Sequence, residues 1–208
     1  MSRVSHLPGR SYGRAGGSLG GSASWAANAD VAAVGRGGEV RTGQVLDAVA
    51  HRPGGPTVLH DLRIPISGIN ANIDHALVSG RTVYLIDTKV WRPAFYWTLG
   101  GQTRRGLERF RPAEKKTMQL AYNGIAAYLK NQRAVVATPV VVIWPSSRRG
   151  TLRTWALSIP GARPMIGPRF ERWVAARARS RPADPAVVHA LHQLLIPVPS
   201  RHARRRAA

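Results

Sequence analysis

Cysteine is absent from this chain of 208 residues, which excludes disulfides, thiolate metal ligands and cysteine catalysis. Acidic residues are scarce, since ten of them stand against 31 basic residues and leave a net charge of +21. The sequence has no apolar run near the ~18 residues that a membrane-spanning helix needs, and its N-terminus lacks the apolar stretch of a signal peptide. We therefore expect a cytoplasmic protein with no membrane partner.

The basic excess is mostly arginine, whose planar guanidinium binds phosphate through two hydrogen bonds and stays charged. A domain this basic usually meets a polyanion. A genome rich in G and C would also favour arginine, but it would not explain the shortage of acids. The charge predicts a nucleic-acid partner, DNA in the first instance, and leaves the oligomeric state open.

Composition divides the chain into four parts. Residues 1–34 are rich in Gly, Ser, Ala and Arg and predict a flexible basic arm, and residues 201–208 predict a basic tail. Residues 161–200 predict helices that pack on a core formed by residues 35–160. Within that core, apolar periodicity predicts a helix, three strands, a helix from Pro112 to about Asn131, and a buried strand at 135–145. This order predicts an α/β fold with a mixed central sheet flanked by helices, and a further strand at 151–160.

The segment from Ala71 to Val90 predicts two apolar strands joined by a tight turn at Gly80 and Arg81. Hairpin pairing places Asp74 opposite Asp87, within one residue, and alternation puts Lys89 on the same side as Asp87. Two facing carboxylates repel each other, which a fold normally avoids. A divalent cation between them would turn the repulsion into ligation, with the ammonium beside it holding water or phosphate oxygen. The plain alternative is an ordinary ion pair between Asp87 and Lys89.

Several short motifs accompany these acids. They are Gly38–Glu39, residues 58–62 (VLHDL), residues 72–75 (NIDH), residues 86–89 (IDTK) and Gln119. With these motifs in this order, the stretch from about Gly37 to Pro145 resembles a nuclease-related domain (NERD) of the PD-(D/E)XK nuclease superfamily. The resemblance implies a restriction-endonuclease-like core with the element order αβββαβ.

The resemblance also implies a Mg²⁺-dependent (or Mn²⁺-dependent) phosphodiesterase site. By position, Asp74 and Asp87 would bind the metal, and Glu39 would complete the acidic cluster. Lys89 would orient the attacking water or stabilise charge on the phosphate. Gln119 would support the water or the scissile strand. Two plain alternatives stay open: Glu39 would complement a helix dipole from the first turn, and Gln119 would be a surface residue.

Aromatic and basic residues alternate between positions 91 and 111, which suits base stacking combined with phosphate contacts. The candidates for nucleic-acid binding are Trp91, Arg92, Trp97, Arg104, Arg105, Arg109 and Arg111. The alternative is a covering loop that buries the aromatics and solvates the arginines.

Two functions from different classes are consistent with the sequence. The first is a metal-dependent nuclease that hydrolyses phosphodiester bonds in DNA. The second is a non-catalytic nucleic-acid-binding protein with an idle nuclease-like core. A third reading, a scaffold whose basic surface binds ribosomes or acidic proteins, is less well supported.

Overall fold

The computed structural model describes residues 10–17, 29–177 and 181–197. The strands, in chain order, are β1 (Ser11–Tyr12), β2 (Thr57–Arg63), β3 (Asn72–Ser79), β4 (Thr82–Trp91), β5 (Phe95–Leu99), β6 (Gln102–Arg105), β7 (Glu108–Arg109), β8 (Val135–Val136), β9 (Val140–Pro145), β10 (Arg153–Ala156) and β11 (Arg163–Ile166). The helices are α1 (Ala29–Ala50), α2 (Thr117–Tyr128), α3 (Gly167–Arg177) and α4 (Pro185–His192).

The central sheet is mixed and has the strand order β1-β2-β3-β4-β9-β11, with β8 beside β4. The pairs β2–β3 and β3–β4 are antiparallel, whereas β9 is parallel to both β4 and β11. The α/β fold with helices flanking a mixed sheet is therefore confirmed, and it is a restriction-endonuclease-like arrangement.

Both faces of the central sheet are buried, because side chains alternate between two apolar clusters along each strand. Leu77 and Ile86 face a cluster that includes Leu46 of α1 and Phe170 of α3. Their neighbours in the strands face the second cluster, which includes Ile125 of α2 and Leu191 of α4. The helices thus form a layer on each side of the sheet.

Three sequence predictions need correction at the edges of the core. The proposed arm at 1–34 contains β1, which pairs with β2. It also contains the first six residues of α1, because that helix begins at Ala29. The proposed strand at 151–160 is β10, which belongs to a second sheet. The segment 161–200 contains β11 of the central sheet in addition to the helices. Residues 1–9, 18–28 and the basic tail lie outside the described residues.

The segment 91–111 is not a loop but most of a second, four-stranded sheet with the order β10-β5-β6-β7. Its inner side is fixed to the core by aromatic packing, since Tyr96 lies against Trp91 and Phe110 with ring centroids 4.8 and 5.1 Å apart. The helix predicted from Pro112 to Asn131 is shorter, because a 3₁₀ turn precedes it and α2 spans only Thr117–Tyr128.

A buried hydroxyl fixes α1 to the sheet. Thr42 Oγ1 accepts hydrogen bonds from Thr88 Oγ1 of β4 at 2.9 Å and from Trp144 Nε1 of β9 at 2.8 Å, and it lies 3.2 Å from the Gly38 carbonyl. The Thr42 side chain is fully buried, so no solvent replaces these partners. One residue therefore joins the helix to two neighbouring strands.

We expect Thr42→Val to lower the free energy of unfolding by about 2–4 kcal/mol, because it leaves the Trp144 and Thr88 donors buried without an acceptor. Urea denaturation followed by circular dichroism measures this loss. The exposed Thr151 offers a matched control, and Thr151→Val should change stability by no more than about 0.5 kcal/mol. Equal stability of the two variants would mean that the Thr42 hydroxyl does not hold α1 in place.

Candidate active site

A cavity of about 520 Å³ lies beside the acidic end of the β3–β4 hairpin. Its charged lining consists of Glu39, Asp74, Asp87, Lys89 and Lys115. Apolar side chains at the end of β4 and in α2, among them Trp91 and Met118, form another part of the wall. The structure therefore brings the two predicted aspartates, the lysine and Glu39 to one concave site.

The hairpin register places the two aspartates on adjacent strands. The two-residue turn consists of Gly80, whose φ is +56°, and Arg81, and the pairing runs from Ser79–Thr82 to His75–Ile86. Its continuation sets Asp74 opposite Asp87, as the sequence predicts. The Thr88 backbone N–H donates to Asp74 Oδ2 at 2.6 Å, which fixes the carboxylate against β4. Both aspartates are buried, with 7% of each residue exposed.

Lys89 compensates part of this negative charge. Its Nζ lies 2.8 Å from Asp87 Oδ1 and 2.6 Å from Oδ2, and it also donates to the Thr88 carbonyl at 3.3 Å. The Lys89 side chain is 43% exposed, so its ammonium is accessible from the cavity. The ion pair that the sequence allowed as a plain alternative is present, and it lies within the proposed site.

Glu39 reaches the cavity because α1 passes unusually close to β4. A Cβ at Gly38 would collide with Val90 Cγ2 and would lie 3.3 Å from Thr88 Cγ2, so only glycine permits this approach. The pair Gly38–Glu39 thus combines a close contact with a carboxylate at the next position. Glu39 lies in the middle of α1 and not in its first turn, so the interpretation that it complements the helix dipole is wrong.

The acids shift one another's pKa values. Burial, followed by the charges of Asp87 and Glu39, holds the pKa of Asp74 well above its usual range. Burial is also the largest cause that raises the pKa of Glu39 to about 7, and Asp61 and Asp87 add to it while Lys89 opposes it. Burial alone would lower the pKa of Lys89, but the charges of Asp87 and Asp74 outweigh it and raise that pKa.

Asp61 is an acid close enough to the site to raise the pKa of Glu39, and the sequence analysis gave it no role. It falls between the pairs His60–His75 and Leu62–Ile73, hence opposite Asp74, and its backbone is left-handed with φ of +62°. The buried carboxylate accepts from Asn72 Nδ2 at 2.8 Å. The one sequence feature that could have pointed to Asp61 is an acid within an apolar strand, because the left-handed backbone conformation cannot be read from the sequence.

The donor set fits a hard divalent cation. Mg²⁺ commonly takes one or two carboxylates and keeps several waters, which the Asp74–Asp87 pair satisfies with Glu39 at the same cavity. Among the described residues, no three histidine, cysteine, aspartate or glutamate side chains converge closely enough to form a complete metal cage. The fit therefore rests on two adjacent buried carboxylates whose repulsion a cation would relieve.

Two predicted residues, Gln119 and Trp91, have surroundings that the sequence did not predict. Gln119 does not line the cavity: its amide donates to Asn123 Oδ1 at 3.2 Å, and its side chain lies against Gly161. Trp91 lies in the cavity wall with 7% of the residue exposed, because its ring packs against Tyr96 and Phe110, and this leaves little of it for stacking on a base. The sequence could not reveal either position, since both depend on how α2 and the second sheet pack on the core.

The remaining candidates for nucleic-acid binding belong to the second sheet or its flanks. Arg105 pairs with Glu108 at 2.6 Å and Arg109 pairs with Glu114 at 3.1 Å, so two of the predicted arginines are partly neutralised. Arg92 and Arg111 are exposed, and Arg104 lies over the ring of Trp97. Sequence reasoning missed Lys115 in the cavity and Trp155 on the second sheet.

His75 occupies the opposite face of the sheet from Asp74, as alternation along β3 predicts. Its Nδ1 lies 2.8 Å from His60 Nδ1, and His60 Nε2 lies 3.0 Å from Asp47 Oδ1 of α1. Burial and the neighbouring His60 hold the pKa of His75 well below its usual range. His75 is thus a fully buried core residue and does not line the cavity.

The fold and these residues define a protein of the restriction-endonuclease-like, PD-(D/E)XK class. A family model described as the nuclease-related domain (NERD) matches residues 34–144, which is more than half of the chain. The chain therefore belongs to the nuclease-related domain family, and the resemblance that the motifs indicated is confirmed. Neither the curated proteins nor the solved structures contain a match to it.

We expect Asp74→Asn to stabilise the metal-free protein by about 1–3 kcal/mol, because it removes a buried charge that repels Asp87. Urea denaturation in EDTA at pH 8 measures the free energy of unfolding. Asp47 is the matched control, since hydrogen bonds from His60 and Ser11 outweigh burial and lower its pKa. Asp47→Asn should therefore destabilise the protein, and a stability loss in both variants would contradict the proposed repulsion.

Proposed function

We propose that this protein is a Mg²⁺-dependent or Mn²⁺-dependent nuclease that hydrolyses phosphodiester bonds in DNA. The observation that carries the proposal is the convergence of Asp74, Asp87 and Lys89 in one accessible cavity of a nuclease-related fold. A fold gains no stability from placing two buried carboxylates on adjacent strands, so their placement supports a chemical role.

Asp74 and Asp87 would hold the metal, with Glu39 beside them. When bound, the metal would supply a polarised water and shield the charge of the phosphate. The Thr88 N–H holds Asp74 in a fixed orientation, and this keeps the carboxylate directed at the site. Lys89, whose pKa is raised, stays protonated and places a positive charge where negative charge develops on the phosphate.

The charge of the chain supports a nucleic-acid substrate. A net charge of +21 attracts a polyanion, and Lys115 adds a cation to the cavity itself. Contacts of this kind predict binding that weakens steeply with salt.

Among the described residues, no helix has the length and apolar character needed to cross a bilayer.

A second function is favoured by one specific observation. Lys89 bonds both oxygens of Asp87, and the described residues contain no complete cage of three metal-binding side chains. An idle nuclease-like core would have the same arrangement, with the lysine serving as a permanent counter-ion. The protein would then bind nucleic acid without cutting it.

We expect Lys89→Ala to lower the rate of plasmid cleavage by about 10²–10³-fold, because it removes the charge that stabilises the developing phosphate oxyanion. Plasmid, linear duplex and single-stranded DNA are incubated with Mn²⁺ and with EDTA, and EDTA should abolish cleavage by the parent. Lys130→Ala is the matched control, because Lys130 is exposed on the 3₁₀ turn after α2. Cleavage by Lys89→Ala at the parental rate would make the catalytic assignment wrong.

Calorimetric titration separates the two functions. For the nuclease, Mn²⁺ should bind to the parent with a measurable heat that Asp74→Ala abolishes, since one of two adjacent carboxylate ligands is lost. A parent that binds no Mn²⁺ would support the idle core instead. Circular dichroism of Asp74→Ala checks that the loss does not come from unfolding.

A further inference from the structure

The second sheet has an outer face with an exposed aromatic pair. We call Phe95, Trp97 and Trp155, with the flanking Arg104 and Arg153, the aromatic face. Trp155 is 82% exposed and stacks on Phe95, with ring centroids 5.1 Å apart and planes inclined by 24°. A large aromatic ring left in solvent in this way contributes little to the fold.

Strand alternation explains why the rings point outward. Tyr96 lies between Phe95 and Trp97 and points inward, where it is fully buried against Trp91. Its two neighbours therefore point to the outer side, and Leu99, which follows the same alternation, is 73% exposed. The core already uses the inner side of this sheet, so the outer side is available for a ligand.

The aromatic face is also basic. Arg104 pairs with Trp97 across the β5–β6 ladder and lies with its Cζ 5.8 Å from the centre of that ring. Arg153 of β10 pairs with Phe95 and is exposed. Within the described part of the chain, neither arginine forms an ion pair, in contrast to Arg105 and Arg109. Their charges therefore remain available for phosphate.

The aromatic face is joined directly to the candidate active site. β4 carries Asp87 and Lys89 and ends at Trp91, and only three residues separate Trp91 from β5. On the other side, Thr98 Oγ1 bonds the Ser158 carbonyl at 3.1 Å, and the next residue, Ile159, lines the cavity together with Trp91. Nucleic acid held on this sheet is thus held beside the cavity, since chain segments that adjoin the sheet supply Trp91 and Ile159 to the cavity wall.

We propose that the aromatic face binds unpaired bases, so that the protein engages single-stranded nucleic acid or the single-stranded part of its substrate. Exposed rings stack on any base with little dependence on sequence, and arginines beside them contact the phosphates. In a duplex the base faces are already stacked, and only the arginines would contribute. This inference rests on the proposed function and deepens it by naming the substrate class: the bound strand is a substrate only if the protein is a nuclease.

The test is a binding measurement without metal, so that cleavage plays no part. Fluorescence anisotropy in EDTA, at about 0.15 M salt to limit non-specific attraction, compares two labelled strands of about 12 nucleotides. One is oligothymidylate, and the other is an abasic backbone with the same phosphates. The variants are Trp155→Ala, Trp155→Phe, which keeps a ring, and the control Val135→Ala, an exposed apolar residue on β8.

Trp155→Ala should weaken oligothymidylate binding by about fivefold or more and change abasic-strand binding by less than about twofold. Trp155→Phe should keep most of the parental affinity, and Val135→Ala should match the parent for both strands. Because Trp155 is mostly exposed, the Trp155→Ala protein should unfold at the parental urea concentration. If Trp155→Ala binds oligothymidylate as tightly as the parent does, the inference is overturned, and the aromatic face would bind another partner, such as a protein.

An equal loss for both strands would also overturn it, since Trp155 would then act without contacting bases. The outcome is independent of the nuclease assay. A parent that cuts no substrate while Trp155→Ala loses oligothymidylate binding would refute the proposed function and retain the inference. A parent that cuts DNA while Trp155→Ala binds oligothymidylate normally would support the proposed function and refute the inference.

Discussion

The mutual repulsion of Asp74 and Asp87 is the constraint around which this site is built. The hairpin turn at Gly80 sets the two carboxylates opposite each other in a buried environment, where their charges cost more than in water. Lys89 offsets part of that cost by bonding both oxygens of Asp87. Asp74 is left with the Thr88 N–H, and its pKa stays well above the usual range. The fold thus holds a charge arrangement that a cation would relieve.

The packing of α1, of the 3₁₀ turn before α2 and of α2 itself on the central sheet encloses this pair in a cavity. Gly38 allows α1 to approach β4 closely enough for Glu39 to join the aspartates, and Thr42 fixes that approach through hydrogen bonds to two strands. On the other side, Trp91 and Tyr96 fix the second sheet to the end of β4. The cavity around the acids is thus lined by residues of strands and of the helices α1 and α2, and such regular elements favour a fixed geometry for ligation.

Sequence reasoning succeeded where local rules decide the outcome. The turn at Gly80 and Arg81 and the pairing of Asp74 with Asp87 follow from hairpin register and a side-chain period of two residues. It did not predict the burial of Trp91 or the position of Gln119 outside the cavity lining, because their surroundings come from elements distant in the chain. It also missed Asp61, because a left-handed backbone within a strand depends on long-range contacts such as that with Asn72.

The amino-acid sequence by itself determined the chemistry: a basic chain without cysteine, a hairpin that sets Asp74 against Asp87, and a lysine two residues further on. Only the tertiary structure decided that residues 91–111 form a sheet with β10, that Trp91 is buried and that Trp155 is exposed. The physical reason is the range of the forces involved. Strand pairing within a hairpin depends on neighbouring residues, whereas burial depends on which distant surfaces come to cover each side chain.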